Sequence, residues 1–129
     1  MNKDLMDISA IETYVDSLLG KQISANTFIG TLPENIDSTW KDMVLIDCNK
    51  ITDLDAMGRG TVLIWLYAKP MAYGVKNLKT LSKMGKDLNV IIENAKHPNY
   101  SVSRRYTYPD YDSNLKWHCN ITELIIKIY

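Results

Sequence analysis

Cysteine and histidine are scarce in this chain of 129 residues, which has two of each: Cys48, Cys119, His97 and His118. No C-x-x-C or H-x-x-x-H spacing joins them, which excludes the closely spaced ligand set of a structural zinc site. Both cysteines sit in apolar, strand-like runs, and a disulfide would require those strands to be neighbours with suitable geometry. Two buried thiols behaving as small hydrophobes are expected instead. Neither sign of charge is in excess, since 15 Lys and Arg balance 15 Asp and Glu. Nucleic-acid binders draw most of their affinity from basic side chains on phosphates, so no specific nucleic-acid partner is expected. Little global repulsion opposes self-association either. No apolar run approaches the roughly 20 residues of a membrane span, so no membrane partner is expected. Met1-Asn2-Lys3-Asp4 leads straight into an amphipathic pattern and not into a signal peptide. A reducing, cytoplasmic compartment is the expectation.

Phosphate and metal motifs are also missing. Gly58-Arg59-Gly60 lacks the G-x-x-x-x-G-K-[ST] spacing, and a strand follows it where a phosphate loop would have a helix. Asp47, Asp53 and Asp55 do not meet the D-x-[DN]-x-[DN]-G calcium pattern and read as a solvated connection. His118 and Cys119 are neighbours on a strand and point to opposite faces, so they do not form a nucleophile pair. A pair through Cys48 stays geometrically open, but it has no identifiable orienting group. His97 precedes Pro98 at a helix end, where it would meet the negative pole. No catalytic residue, metal ligand or cofactor is expected.

What is present is a strongly patterned single domain, residues 1–129. Leu5, Ile8, Ile11, Val15, Leu18 and Leu19 recur at helical spacing and end at Gly20, predicting a helix over 5–20. Thr27-Phe28-Ile29 reads as a short strand, Leu32-Pro33-Glu34-Asn35 as a turn, and Met43–Asn49 as a strand. Lys50–Gly60 reads as a loop or hairpin connection ended by its glycines. Thr61–Lys69 is rich in β-branched and aromatic residues and bulky on both faces. Such a strand is central, or another chain covers its second face. Asn77 is placed to cap a second helix carrying Leu78, Leu81, Met84, Leu88, Ile91 or Ile92, and Ala95 on one stripe, ended by His97-Pro98. Tyr100–Tyr108 alternates with period two as a half-exposed strand, and Pro109–Asn114 reads as a turn. In the last strand Trp117, Cys119 and Ile121 share one parity while Leu124, Ile126 and Ile128 share the other. That change predicts a bulge near Thr122-Glu123.

The order is therefore α-β-β-β-α-β-β. The expected fold is α+β, with two helices on one face of a mainly antiparallel sheet of four to five strands. Arg104 and Arg105 lie among Tyr100, Tyr106, Tyr108 and Tyr111. This composition suits a protein interface more than nucleic acid in a chain of zero net charge. The candidate interface residues are Trp65, Tyr67, Arg104, Arg105, Tyr106, Tyr108 and Tyr111.

Several features run through nearly the whole chain. They are the helix ending Leu18-Leu19-Gly20, the Thr27–Pro33 stretch, the strand Val44-Leu45-Ile46-Asp47 and the Gly-led strand Gly60–Lys69. The turn Tyr73-Gly74, the Leu78, Leu81, Leu88 stripe and a closing strand from Trp117-His118 to Ile126-Lys127-Ile128-Tyr129 complete the set. In these the chain resembles the phage tail-terminator (tail-completion, minor tail) proteins. The resemblance implies a small α+β virion or prophage protein without an active site, forming a homo-oligomeric, hexameric ring on a tail tube or neck. It implies assembly in the host cytoplasm and residence in the virion. The alternatives are a small bacterial protein-binding module using its sheet edge and, third, a metal-dependent nuclease or hydrolase built on Asp47–Asp55.

Overall fold

A computed structural model describes residues 3–129. After a short 3-10 turn at Lys3–Leu5, the first helix (α1) spans Ile8–Leu19. The Asp7 side chain accepts the Ala10 N–H at 3.1 Å, satisfying one of the free donors of the first turn. Gly20 ends the helix in the left-handed region, where a side chain would be strained. Leu5 therefore packs from outside the helix, and Ile11, Val15 and Leu19 form its buried stripe. The strands are β1 (Thr27–Ile29), β2 (Asp42–Asp53) and β3 (Gly58–Ala68). The second helix (α2, Leu78–Glu93) follows and buries Leu81, Met84 and Leu88, with Asn77 accepting the Thr80 N–H at 3.1 Å. Then come β4 (Tyr100–Asp112) and β5 (Trp117–Ile128).

The fold is α+β, in the expected element order. The five strands form one mixed sheet in the order β1-β2-β3-β5-β4, with β1 parallel to β2 and every other pair antiparallel. The bulky strand is central. Val62, Ile64 and Leu66 join Val44, Ile46, Leu124, Ile126 and Ile128 beneath the helices. Its second face is covered from within the chain. Phe28, Leu32, Ile36 and Trp40 pack on Met43, Leu45, Tyr67, Trp117, Cys119 and Ile121, with Leu63, Trp65 and Leu115 alongside. Lys69 ties this cover down, its Nζ donating to the Ser38 carbonyl at 2.7 Å.

Several boundaries differ from the sequence reading, each for a physical reason. The 50–60 connection is mostly strand: β2 runs to Asp53 and β3 begins at Gly58, leaving a turn at 54–57 closed by Leu54 N–H to Met57 C=O at 2.8 Å. Gly58 and Gly60 are strand glycines that let the N-terminal segment lie close. A Cβ on Gly60 would stand 2.9 Å from Ile11 Cδ1, and one on Gly58 3.0 Å from Met6 Cγ and Sδ. Pro109–Asp112 belongs to β4, because an edge strand tolerates a missing N–H, and the turn is 113–116. There is no bulge at Thr122-Glu123, as β5 keeps continuous register with β3. Its change of parity reflects two covers on opposite faces. The helices bury Leu124, Ile126 and Ile128 at one end, and the 28–40 segment buries Trp117, Cys119 and Ile121 at the other. The bulge near this level lies across the ladder on β4, where Arg105 is the extra residue between Arg104↔Leu124 and Tyr106↔Glu123. A second bulge, at Asn49 of β2, lies almost level with it.

Candidate functional site

The strand β4 closes one edge of the sheet and is thirteen residues long. Past Val102 its side chains are exposed up to Tyr111. An edge of this length presents a row of backbone donors and acceptors that a further strand can pair. The first part lies under α2, where Arg104 Nη1 donates to Asn89 Oδ1 at 2.7 Å. Bulging at Arg105 turns the strand so that Tyr106 and Tyr108 stand on the face away from the helices, aligned with Glu123 and Ile121.

Glu123 is the centre of this group. It is 6% exposed, and a carboxylate so buried requires partners. Arg105 supplies one, with Nη1 3.2 Å from Oε1. Tyr106 is its cross-strand neighbour, and the nearby Glu123 carboxylate pushes that phenol's pKa up. The Arg105 guanidinium also lies 5.5 Å from the Tyr106 ring centroid, and the Tyr106 and Tyr108 rings are 5.8 Å apart. The bulge residue is thus held to the sheet by a charge pair and an aromatic face.

The seven candidate interface residues do not gather into one patch. Arg105, Tyr106 and Tyr108 are together. Tyr111 lies on the other face against His118, ring centroids 4.8 Å apart, and Arg104 is engaged with α2. Tyr67 is 4% exposed and Trp65 half-buried, both within the cluster covered by residues 28–40. Burial pushes the Tyr67 phenol far up, with Cys119, Asp112 and Asp110 adding to it.

Beyond Arg105, toward the β2–β3 turn, the same face holds a polar cleft of about 260 Å³ lined by Lys50, Thr52, Leu54, Arg59, Thr61 and Arg105. It exists because β2 and β3 extend to Asp53 and from Gly58, where a loop is expected from sequence. The available signal was the alternation of Lys50 with Thr52 and of Arg59 with Thr61, which a two-residue period places on one face. A larger open groove of about 730 Å³ lies at the other side of the molecule, where Tyr14, His97 and Tyr100 meet Leu5, Ala10 and Leu18. Tyr14 stacks on Tyr100 at 4.5 Å. Its hydroxyl is buried without a hydrogen-bond partner among the described residues, and desolvation, then Tyr100, raise its pKa.

The chemistry-bearing residues weighed from sequence are dispersed. Cys48 lies in the core beneath the helices and Cys119 in the core of the opposite face, so the sheet separates the two free thiols. His97 lies past the end of α2 and not at its last carbonyls. Its Nδ1 accepts the Asn99 N–H at 3.0 Å, and its ring packs on Tyr14 and Tyr100. His118 contacts the Gly74 carbonyl at 3.4 Å. Register puts Asp47, opposite Leu63, and Asp53, opposite Gly58, on different faces of the sheet. Asp53 is 3.6 Å from Lys3 Nζ and accepts the Asp55 N–H at 3.0 Å. No model of a known protein family matches this chain, and no curated protein does.

Proposed function

We propose that this protein is a non-catalytic structural component that assembles with copies of itself, in the manner of the tail-terminator proteins its sequence resembles. The proposed assembly is a ring at the tail or neck junction of a virion or prophage, with tail-tube or neck proteins as neighbours. The observation that carries the reading is β4. It is a long, uncovered edge strand whose exposed tyrosines and Arg105 have the composition of an interface core. Residues 28–40 cover the second face of β3, so the bulk of that strand is accounted for within the chain. What supports association is therefore the edge and its aromatic face, not the central strand.

The same open edge favours a second reading, a module that takes a partner's peptide as an added strand. Light scattering over a wide concentration range, followed by negative-stain microscopy, separates the two. Concentration-dependent growth to a closed particle, lost in Tyr106→Ser/Tyr108→Ser, is the expected result. A strictly monomeric chain at the highest concentration, with Arg104, Arg105 and the tyrosines mutable without loss of any partner, leaves the peptide-binding module as the better reading.

A further inference from the structure

The face of the sheet away from the helices gathers cations at one end. At the β2–β3 turn end, register places Lys50, Arg59 and Lys127 on this face together with Arg105. Arg59 and Lys127 are direct cross-strand partners. Like charges directly opposite on a sheet repel, so this pair costs stability in the isolated chain. The hydroxyls of Thr52 and Thr61 line the cleft beside these cations. The carboxylates that register brings to this part of the face are Glu123, already held by Arg105, and Asp47, level with it on the other side of Leu63. Lys50, Arg59 and Lys127 therefore outnumber the remaining acid.

At the opposite end of the same face β4 carries two carboxylates, and Lys76 is the cation that offsets them at Cys119. Asp110 aligns with Cys119 and Asp112 with Trp117. Both carboxylates help to push the Cys119 thiol and the Tyr67 phenol up, as groups sharing one corner would. Along β5 the step from Cys119 to Lys127 is eight residues, or roughly 26 Å at the usual rise of a strand. That is well beyond the screening length of about 8 Å at physiological salt, so the two ends cannot neutralise each other within one chain.

We infer that the cleft lined by Lys50, Thr52, Arg59 and Thr61, with Lys127 beside it, is a docking site for carboxylates, and that its occupant is the acidic end of β4, around Asp110, of a second copy of this chain. The inference rests on the assembly reading and gives it a polarity. Two different complementary patches on one molecule make a head-to-tail contact, and such contacts close into a ring where the rotation between neighbours closes and otherwise run on as a filament. A two-fold pairing of β4 with itself would need no such division. Asp110 suits the role: it is exposed, and its side chain accepts a local hydrogen bond from the Tyr111 N–H at 2.8 Å. Asp112 is tied down instead, accepting the Asn114 and Leu115 N–H groups at 3.0 Å each to close the turn.

The test uses two full-length variants, Arg59→Glu/Lys127→Glu and Asp110→Lys, whose altered side chains are all exposed. Each alone should weaken association about tenfold or more in low salt, and wild-type association should weaken as salt rises. Mixing the two should restore it, because the reversed cleft of one fits the reversed strand end of the other. A second measurement reads the cleft without assembly. Into the Asp110→Lys variant, whose cleft should be vacant, one titrates the end-blocked peptide Tyr-Pro-Asp-Tyr-Asp-Ser. Saturable shifts of the amides of residues 50, 52, 59, 61 and 127, absent when Arg59→Glu/Lys127→Glu is added, support the site. If the peptide fills the cleft while the wild-type chain stays monomeric, the carboxylate site stands, and both the second-copy occupant and the ring are overturned. Absence of peptide binding overturns the site whatever the oligomeric state, and single variants that associate like an associating wild type overturn it too. Inorganic phosphate shifting the same amides at lower concentration than the peptide assigns the cleft to phosphate and overturns the acidic-strand occupant.

Discussion

Gly60 is where the close approach of α1 to the sheet can be measured as an energy. Its position is extended backbone in the central strand, buried, with Ile11 of α1 directly above it. Adding a methyl group there has two opposed effects. Removing the conformational freedom of glycine from a strand favours folding by roughly 0.5–1 kcal/mol. The new Cβ would lie 2.9 Å from Ile11 Cδ1 and 3.8 Å from Ile126 Cβ. Ile11 is fully buried, so its terminal carbon has no free space to move into. Overpacking of that kind costs about 1–3 kcal/mol, which leaves Gly60→Ala destabilised by about 1 kcal/mol. Ile11→Val removes the clashing carbon and by itself should cost about 1 kcal/mol. In the double variant the alanine fits, and the glycine-to-alanine step becomes favourable by about 0.5 kcal/mol. A double-mutant cycle by urea unfolding should therefore give a coupling of about 1.5 kcal/mol. Gly58→Ala is the control. Its Cβ would meet Met6, a flexible and only half-buried side chain, and it should be near neutral or slightly stabilising. Additivity of Gly60→Ala and Ile11→Val within about 0.5 kcal/mol would refute the packing argument.

Three further outcomes are expected. Leu88 is 1% exposed beneath α2, so Leu88→Ala should lower stability by about 2–5 kcal/mol, and an unchanged urea midpoint would show that α2 is not packed on the sheet. Burial, followed by nearby carboxylates, raises Cys48 to about 11 and Cys119 to about 12, against an ordinary thiol value of 9.0. Both thiols are protonated in either state below that ordinary value, so stability is unaffected there. It falls as pH rises through 9.0 toward 11 and 12, where the unfolded chain ionises first, and native thiols should resist a disulfide reagent at pH 8 until denaturant is added. Calorimetric titration with Mg²⁺, Mn²⁺ and Zn²⁺ should be flat, because Asp47 and Asp53 occupy opposite faces, whereas a saturable isotherm abolished by Asp53→Asn would revive the hydrolase reading.

The pattern of residues determined much of this protein by itself. Apolar spacing marked α1 and α2, Asn77 and Gly20 marked their ends, and the double-sided bulk of residues 61–69 marked the central strand, because period and capping are local properties. The tertiary structure decided what depends on who lies opposite whom. Gly58 and Gly60 read as turn residues until Met6 and Ile11 are laid against them, and Pro109 and Asp110 read as turn residues until β4 is seen to be an edge. The parity change in β5 read as a bulge, yet it records two covers on opposite faces, and no one-dimensional pattern distinguishes these. Tyr67 and Tyr106 are both tyrosines on strands, but one lies beneath residues 28–40 and the other stands exposed beside Arg105. The cleft joins residues of β2, β3 and β4 that lie up to 55 positions apart, from Lys50 to Arg105. Its cations become neighbours only through strand register, which long-range pairing sets and local sequence does not.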